Sequence, residues 1–285
     1  MSQITRRDHV RVRGLPSVPM TLAFDEHCGA GATVVCLPMF GASRLMTAAA
    51  LRPALAGAGL RELYVDIPGH GDSVRSHEAT SQAVLDAVAG FIDKHSVGSV
   101  LVAGCSYGGY LAAGLARLRP ELVRALLLVC PGVVTAPEAR QLPEAADVPS
   151  EPGWLDAAPE ELRSHFDLAL GRRTRAVVAE VCAALDAGGP GDEQYQDELR
   201  DGGGFPLPDE DSDARFGGPV AVVAGRQDRI VGFRDQYRSM VSYPRGTFVI
   251  ADLAGHYLPF EQPELLRTTA QEWLQRCGHL TEASA

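Results

Sequence analysis

Val100-Leu-Val-Ala-Gly-Cys-Ser-Tyr-Gly-Gly109 sets an apolar run, a Gly-x-Ser-x-Gly pentapeptide and a small-residue stretch in direct succession. Residues 99–104 read as a buried strand and residues 107–118 as a helix, so Ser106 falls on the turn between them. A strand running straight into a helix must turn sharply. It can do so only if the neighbours two before and two after the serine, Gly104 and Gly108, carry no side chain to clash. Such a turn holds the hydroxyl exposed and aims the N–H groups of the helix start at any negative charge that develops there. With 30 glycines in the chain, the bare pentapeptide arises by chance in roughly one such sequence in five. Serine also suits an ordinary helix N-cap. Context has to decide.

Working outward, a serine hydroxyl is a poor nucleophile without a base, and the base needs an orienting acid. Residues 221–228, Ala-Val-Val-Ala-Gly-Arg-Gln-Asp, place the carboxylate of Asp228 just past a strand-like run. Residues 248–256, Phe-Val-Ile-Ala-Asp-Leu-Ala-Gly-His, place the imidazole of His256 past the last such run. In a parallel sheet all three groups emerge at one edge, in the chain order serine, acid, histidine.

The rest of the chain supports that sheet. Strands are expected at residues 32–37, 63–67, 122–130, 219–224 and 247–251, and weaker ones at 11–15 and 20–24 as an opening pair. Helices are expected at 43–58, 79–95 (with Thr80 or Ser81 as cap), 233–241 and 262–277. Continuous Val, Leu and Ala runs, without strict alternation, indicate strands covered on both faces. Alternation with helices indicates an α/β fold with a mostly parallel, doubly wound sheet. Residues 133–216 break the rhythm: helical fragments at 159–170 and 172–187 stand among Pro- and Gly-rich pieces, and an acidic run, Asp209 to Arg215, closes the stretch. The expected division is a core of residues 1–132 and 217–285 with a helical insertion, 133–216, over the carboxyl ends of the strands.

Composition bounds the rest. The chain has 285 residues, 46% hydrophobic and 22% charged, enough to bury a core without disulfides or metals. A net charge of −10 argues against a nucleic-acid partner and against an anionic membrane surface. The longest apolar runs are strand-sized, far short of the ~20 residues of a membrane helix, and the basic N-terminus lacks the apolar stretch of a signal peptide. The expectation is a cytoplasmic chain. Six cysteines without a close pair read as reduced, mostly buried thiols. The acidic run lacks the pattern of a calcium loop, and the Gly69-His-Gly-Asp-Ser turn lacks the Gly-Lys-Ser/Thr of a phosphate loop. No metal or organic cofactor is expected.

Five stretches, taken together and in order, resemble the α/β-hydrolase fold family of capped serine hydrolases. They are Leu37-Pro-Met-Phe-Gly41, Asp66-Ile-Pro-Gly-His-Gly-Asp-Ser73, Gly104-Cys-Ser-Tyr-Gly-Gly109, Gly225-Arg-Gln-Asp228 and Ala254-Gly-His-Tyr-Leu-Pro-Phe-Glu-Gln-Pro-Glu264. The resemblance implies Ser106, Asp228 and His256 as catalytic residues. It also implies the backbone N–H groups of Phe40 and Tyr107 as oxyanion donors, and a cap. The chain departs from the family at Pro38-Met39, where relatives often carry His-Gly; the loop is closer to the Pro-His-Ala-Gly-Gly pattern of editing thioesterases. It departs again at Cys105, where many relatives have histidine.

The leading expectation is hydrolysis of a small or medium, largely apolar carboxylic ester. Thioester hydrolysis or acyl transfer and carbon–carbon hydrolysis use the same triad and stay open, as does a binding, lyase or cyclase use of the fold. Among rivals for the site, His70, Asp252 and the acidic run read as structural or solvated. His77, His95 and His165 read as solvated on polar helix faces, and Cys105 as a bystander.

Overall fold

Runs that are apolar without alternation imply two buried faces, and the computed structural model, which describes residues 3–10, 20–96, 98–210 and 212–278, shows both. Eight strands form one sheet in the order β1-β2-β4-β3-β5-β6-β7-β8. They are β1 (Gln3–Val10), β2 (Met20–His27), β3 (Thr33–Leu37), β4 (Arg61–Val65), β5 (Val100–Cys105), β6 (Val123–Val129), β7 (Val220–Gly225) and β8 (Gly246–Ala251). The pairs β1–β2 and β2–β4 are antiparallel, and β4, β3, β5, β6, β7 and β8 run parallel.

Because successive side chains point to opposite faces, each central strand feeds two cores. Val34, Cys36, Leu101, Leu127 and Val223 meet Met46, Leu51 and Leu55 of α1 (Arg44–Leu55) and Leu266, Trp273 and Leu274 of α9 (Pro263–Arg276). Val35, Leu37, Val102, Leu126 and Val222 meet Val84 and Phe91 of α2 (Ser81–His95) and Leu111 and Leu115 of α3 (Tyr107–Leu118). Each fully buried aliphatic side chain contributes about 1.5–3 kcal/mol, and that holds the helices to both faces. The helix starts are specified locally: the hydroxyl of Ser43 accepts from Met46 N–H and that of Thr80 from Ala83 N–H.

Between β6 and β7 lie α4 (Glu160–Ala169), α5 (Arg175–Asp186) and α6 (Glu193–Asp201). The strand pairing in this stretch, among the described residues, is one isolated bridge between Ser150 and Arg173. Then α7 (Phe233–Ser239) follows β7, and a short α8 (Leu258–Glu261) precedes α9. The fold expectation stands, with local corrections. The strand expected at residues 11–15 lies outside the described residues. β1, whose sequence QITRRDHV is mostly polar, was not anticipated, nor was the polar helix α6. The strand expected at residues 63–67 is Arg61–Val65, because pairing with β3 runs from Thr33↔Arg61 to Cys36↔Tyr64. Asp66 follows the strand end, with its N–H still on the Ala23 carbonyl at 2.9 Å and its carboxylate on Arg44.

Among the described residues no helix is long and apolar enough to cross a membrane, and no group of three or more His, Cys, Asp and Glu is placed to hold a metal ion. All six cysteines are free; Cys28 is exposed and Cys182 half-buried.

Candidate active site

Parallel strands deliver their carboxyl ends to one edge. Residues just past β3, β5, β7 and β8 therefore meet there: Phe40, Ser106, Asp228 and His256. Backbone strain collects at the same edge. Among the described residues, the non-glycine positions with positive φ are Ser106 (52°), Cys130 (43°) and Leu253 (50°), each just past a strand end. A conformation of this kind costs on the order of 1–3 kcal/mol and persists only where the surroundings enforce it. Around Ser106 they do. Its N–H donates to the Val129 carbonyl at 3.0 Å, and its carbonyl accepts from Tyr110 N–H and Gly132 N–H, both at 3.0 Å.

The elbow glycines are required by close approach. A Cβ on Gly104 would lie 2.3 Å from the Gly108 carbonyl oxygen, and one on Gly108 would lie 2.4 Å from the Leu37 oxygen and 2.6 Å from the Pro38 oxygen. Ser106 makes no side-chain cap bond to α3, so the N-cap reading of this serine does not describe it. Its hydroxyl lies 2.9 Å from His256 Nε2 instead.

His256 Nδ1 is 2.9 Å from Asp228 Oδ2. A carboxylate oxygen accepts, so Nδ1 carries the proton and Nε2 is free to take the one on Ser106. The other oxygen of Asp228 accepts from Ile230 N–H at 2.9 Å and Val231 N–H at 3.1 Å. Burial pushes the Asp228 carboxyl up, but the His256 charge, its hydrogen bond and the two backbone donors outweigh burial and hold it below the usual carboxylate range. The acid is fixed, ionised and dry.

Tyr107 is the first residue of α3, where a helix leaves its N–H without an intrahelical acceptor. The loop carrying Phe40 packs against the elbow through the contacts at Gly108, and the Phe40 ring meets the rings of Tyr107, Phe205 and His70 edge-on. Ser106 and His256 are 8% and 5% exposed, so the site is nearly closed. A cavity of about 340 Å³ lined by Tyr110, Arg117, Gly132 and Tyr243 lies nearby. Neither Ser106 nor His256 lines it, and it is not where a reacting carbonyl would sit.

The rivals resolve as follows. Cys105 is buried and burial raises its thiol to about 12, which leaves it without thiolate character. His70 is fully buried, with Nδ1 2.9 Å from the Pro68 carbonyl. Asp252 is exposed and accepts from Gln227. His77 is exposed but lies in a bend ahead of α2, not on a helix. Two expectations of solvation fail. His95 is half-buried against Phe24 and Phe91. His165 of α4 lies 3.1 Å from the Tyr257 hydroxyl, and burial and the nearby His256 lower its pKa. The acidic run is likewise not simply solvated: Asp209 takes two hydrogen bonds from Arg117, and Glu210 accepts from the N–H and hydroxyl of Thr135. Sequence reasoning missed His165, Tyr257, Phe205 and Glu261 at this site, because their meeting depends on how residues 133–216 fold against the strand ends.

Comparison with known proteins agrees with this architecture. A stretch of 94 residues is 37% identical to Lipase LipV of Mycobacterium tuberculosis; it covers 33% of this chain and 35% of the lipase, about a third of that relative's length. An alpha/beta superfamily hydrolase from Oenococcus oeni PSU-1 superposes with a TM-score of 0.82 at 20% identity, over 96% of this chain and 99% of that one. A thermophilic esterase from Thermogutta terrifontis gives a TM-score of 0.71 at 21% identity, over 95% and 99%. At those identities the likeness is one of fold. The profile of the alpha/beta hydrolase family matches residues 29–269. With the sheet order, the elbow and that match in agreement, the chain belongs to the alpha/beta hydrolase family.

Proposed function

We propose that this chain is a serine hydrolase that cleaves a small or medium, largely apolar carboxylic ester through an acyl-enzyme on Ser106. The observation that carries the reading is the unbroken chain from Asp228 through His256 to Ser106, with both links at 2.9 Å. His256 Nε2 takes the hydroxyl proton as Ser106 Oγ attacks the carbonyl, and Asp228 holds the tautomer and stabilises the imidazolium. The N–H groups of Phe40 and Tyr107 receive the oxyanion, each such donor being worth about 2.7–4 kcal/mol. His256 then protonates the leaving alcohol, and water repeats the sequence in reverse to release the acid. An intact triad is worth on the order of 10⁶ in rate.

In the same reading residues 133–216 form the cap over a core of 1–132 and 217–285. Aromatic packing beside the triad favours an apolar acyl or alcohol group: Phe40 and Phe205 meet Tyr107, the residue after Ser106, and Phe166 of α4 packs edge-on against Tyr257, the residue after His256. The lipase and esterase names among the similar proteins point the same way. The Pro38-Met39-Phe40 loop favours a second reading, thioester hydrolysis, which a matched pair of oxygen ester and thioester substrates separates.

The test is intact mass after treatment with a fluorophosphonate. A single adduct on the wild type, absent in Ser106→Ala and slowed sharply in His256→Ala, is the expected result. A folded wild-type protein that takes no adduct would overturn the reading.

A further inference from the structure

Glu261 ends α8, shortly after His256 in the chain, and it is fully buried. A buried carboxylate is costly unless both oxygens are matched by donors. Here they are. Oε1 accepts from the backbone N–H groups of Gly171 (2.6 Å) and Arg172 (2.8 Å), and Oε2 accepts from that of Gly255 (2.8 Å). Two of these donors lie just past the end of α4, and the third immediately precedes His256. One side chain therefore joins the end of α4 to the histidine loop, two segments far apart in sequence.

The same segments also meet directly. His256 N–H donates to the Ala169 carbonyl at 2.6 Å, and Arg229 N–H, next to Asp228, donates to the Leu168 carbonyl at 3.1 Å. A Cβ on Gly255 would lie 2.0 Å from the Ala169 oxygen, so the two backbones are in contact with no room between them. The last turn of α4 thus touches the chain beside the base and beside the acid.

We propose that Glu261 is a positioning residue for His256: its carboxylate fastens the histidine loop to the end of α4 and makes that helix part of the catalytic frame, not a moving cover. The proposal rests on His256 acting as the base. Three N–H donors on two oxygens require an acceptor at both positions. Burial raises the Glu261 carboxyl to about 7 against the pull of those three donors.

Glu261→Gln is nearly isosteric and keeps the packing. It has one acceptor oxygen, so in either orientation its NH₂ faces at least one backbone N–H. Small misplacements of a reacting group cost up to about 10²-fold. The expected result is a folded variant in which kcat and the rate of Ser106 labelling by a fluorophosphonate fall about 10- to 100-fold, with KM within about twofold of wild type. The far-downfield ¹H resonance of the His256–Asp228 hydrogen bond is expected to broaden or move in that variant. A purely structural role would lower stability and leave that resonance and kcat unchanged, which would overturn the proposal. Wild-type protein that fails to label would count against His256 as base, whereas equal labelling of wild type and Glu261→Gln counts against Glu261 alone. If the variant does not fold, amide exchange in the wild type decides. Gly171, Arg172 and Gly255 are expected to exchange only on global unfolding, and fast exchange of any of them through local opening overturns the proposal.

Discussion

Acidification should destabilise this fold through His70 by an amount the structure sets. The ring is fully buried. Its Nδ1 faces the Pro68 carbonyl at 2.9 Å, and a carbonyl only accepts, so Nδ1 carries the proton of the neutral ring. Nε2 is buried with no hydrogen-bond partner, so protonation there creates a cation with a donor and nothing to receive it. Burial accordingly lowers the pKa from its ordinary 6.5 to about 4, with the Pro68 carbonyl pulling weakly the other way. A depressed pKa means that the folded chain binds fewer protons than the unfolded chain between those values. The stability it contributes is complete above 6.5 and is lost as pH falls toward 4. At about 1.36 kcal/mol per tenfold change in proton occupancy, the loss between pH 7 and pH 4.5 is about 2.5 kcal/mol. Urea unfolding at the two pH values, for wild type and His70→Phe, isolates it. The phenyl ring suits the surroundings, and losing the bond to Pro68 is a constant cost at every pH. Contributions from Asp228, Glu261 and other carboxyls cancel in the difference between the two proteins. The expected outcome is a wild-type slope steeper by about 2.5 kcal/mol over that interval. Parallel curves would refute the reasoning, since they would mean that His70 gains an acceptor or water when charged.

Three further outcomes follow from the site and its supports. Asp228→Asn keeps the shape but offers an amide where Nδ1–H needs an acceptor; kcat on a simple ester should fall about 10⁴-fold with the fold intact by circular dichroism, and a drop under tenfold would remove Asp228 from the mechanism. Gly108→Ala would push a Cβ to within 2.4 Å of the Leu37 oxygen and 2.6 Å of the Pro38 oxygen. The loop carrying the Phe40 donor must then move, so labelling of Ser106 should slow by at least tenfold, and a wild-type rate would show that the donor lies elsewhere. Arg44→Met removes the guanidinium that reaches buried Asp25 at 3.1 Å and buried Asp66 at 2.5 Å. Taking that cation away from the buried Asp66 carboxylate should cost about 3–5 kcal/mol in urea unfolding; a loss under 1 kcal/mol would mean that the carboxyl protonates at little cost.

How much of this was legible in the sequence depended on the range of the interaction that carried it. The elbow could be read because its requirement is local: Gly104 and Gly108 are needed by their own close neighbours, whatever the rest of the chain does. The central strands could be read because burial on both faces demands apolar residues at every position, as in the VAVVAG of β7. The meeting of Ser106, Asp228 and His256 followed because parallel strands share an exit edge, a property of topology and not of any one residue. β1 and α6 were missed because their sequences, QITRRDHV and EQYQDELRD, are mostly polar. In α6 the apolar anchors are Tyr195 and Leu199, which pack into the core on the α2 and α3 side, and two anchors make a weak period. Asp209 and Arg117 find each other across a long stretch of chain, so composition alone marked a charged run as solvated.

Glu261 is the most instructive case. In sequence it is one more acidic residue in Leu-Pro-Phe-Glu-Gln-Pro-Glu, and a helical stretch with an exposed face accommodates such residues freely. What makes it different is that α4, from a stretch whose path the sequence does not specify, ends with Gly171 and Arg172 donors against it. A helix leaves its own terminal carbonyls unsatisfied, and here the Leu168 and Ala169 carbonyls are satisfied by the loops of Asp228 and His256. The end of α4 and the loops of Asp228 and His256 therefore complete one another's hydrogen bonds. It follows that residues 168–172 of this chain are held to their place by what their backbone supplies, two carbonyls pointing inward and two N–H groups for a buried carboxylate, more than by their side chains.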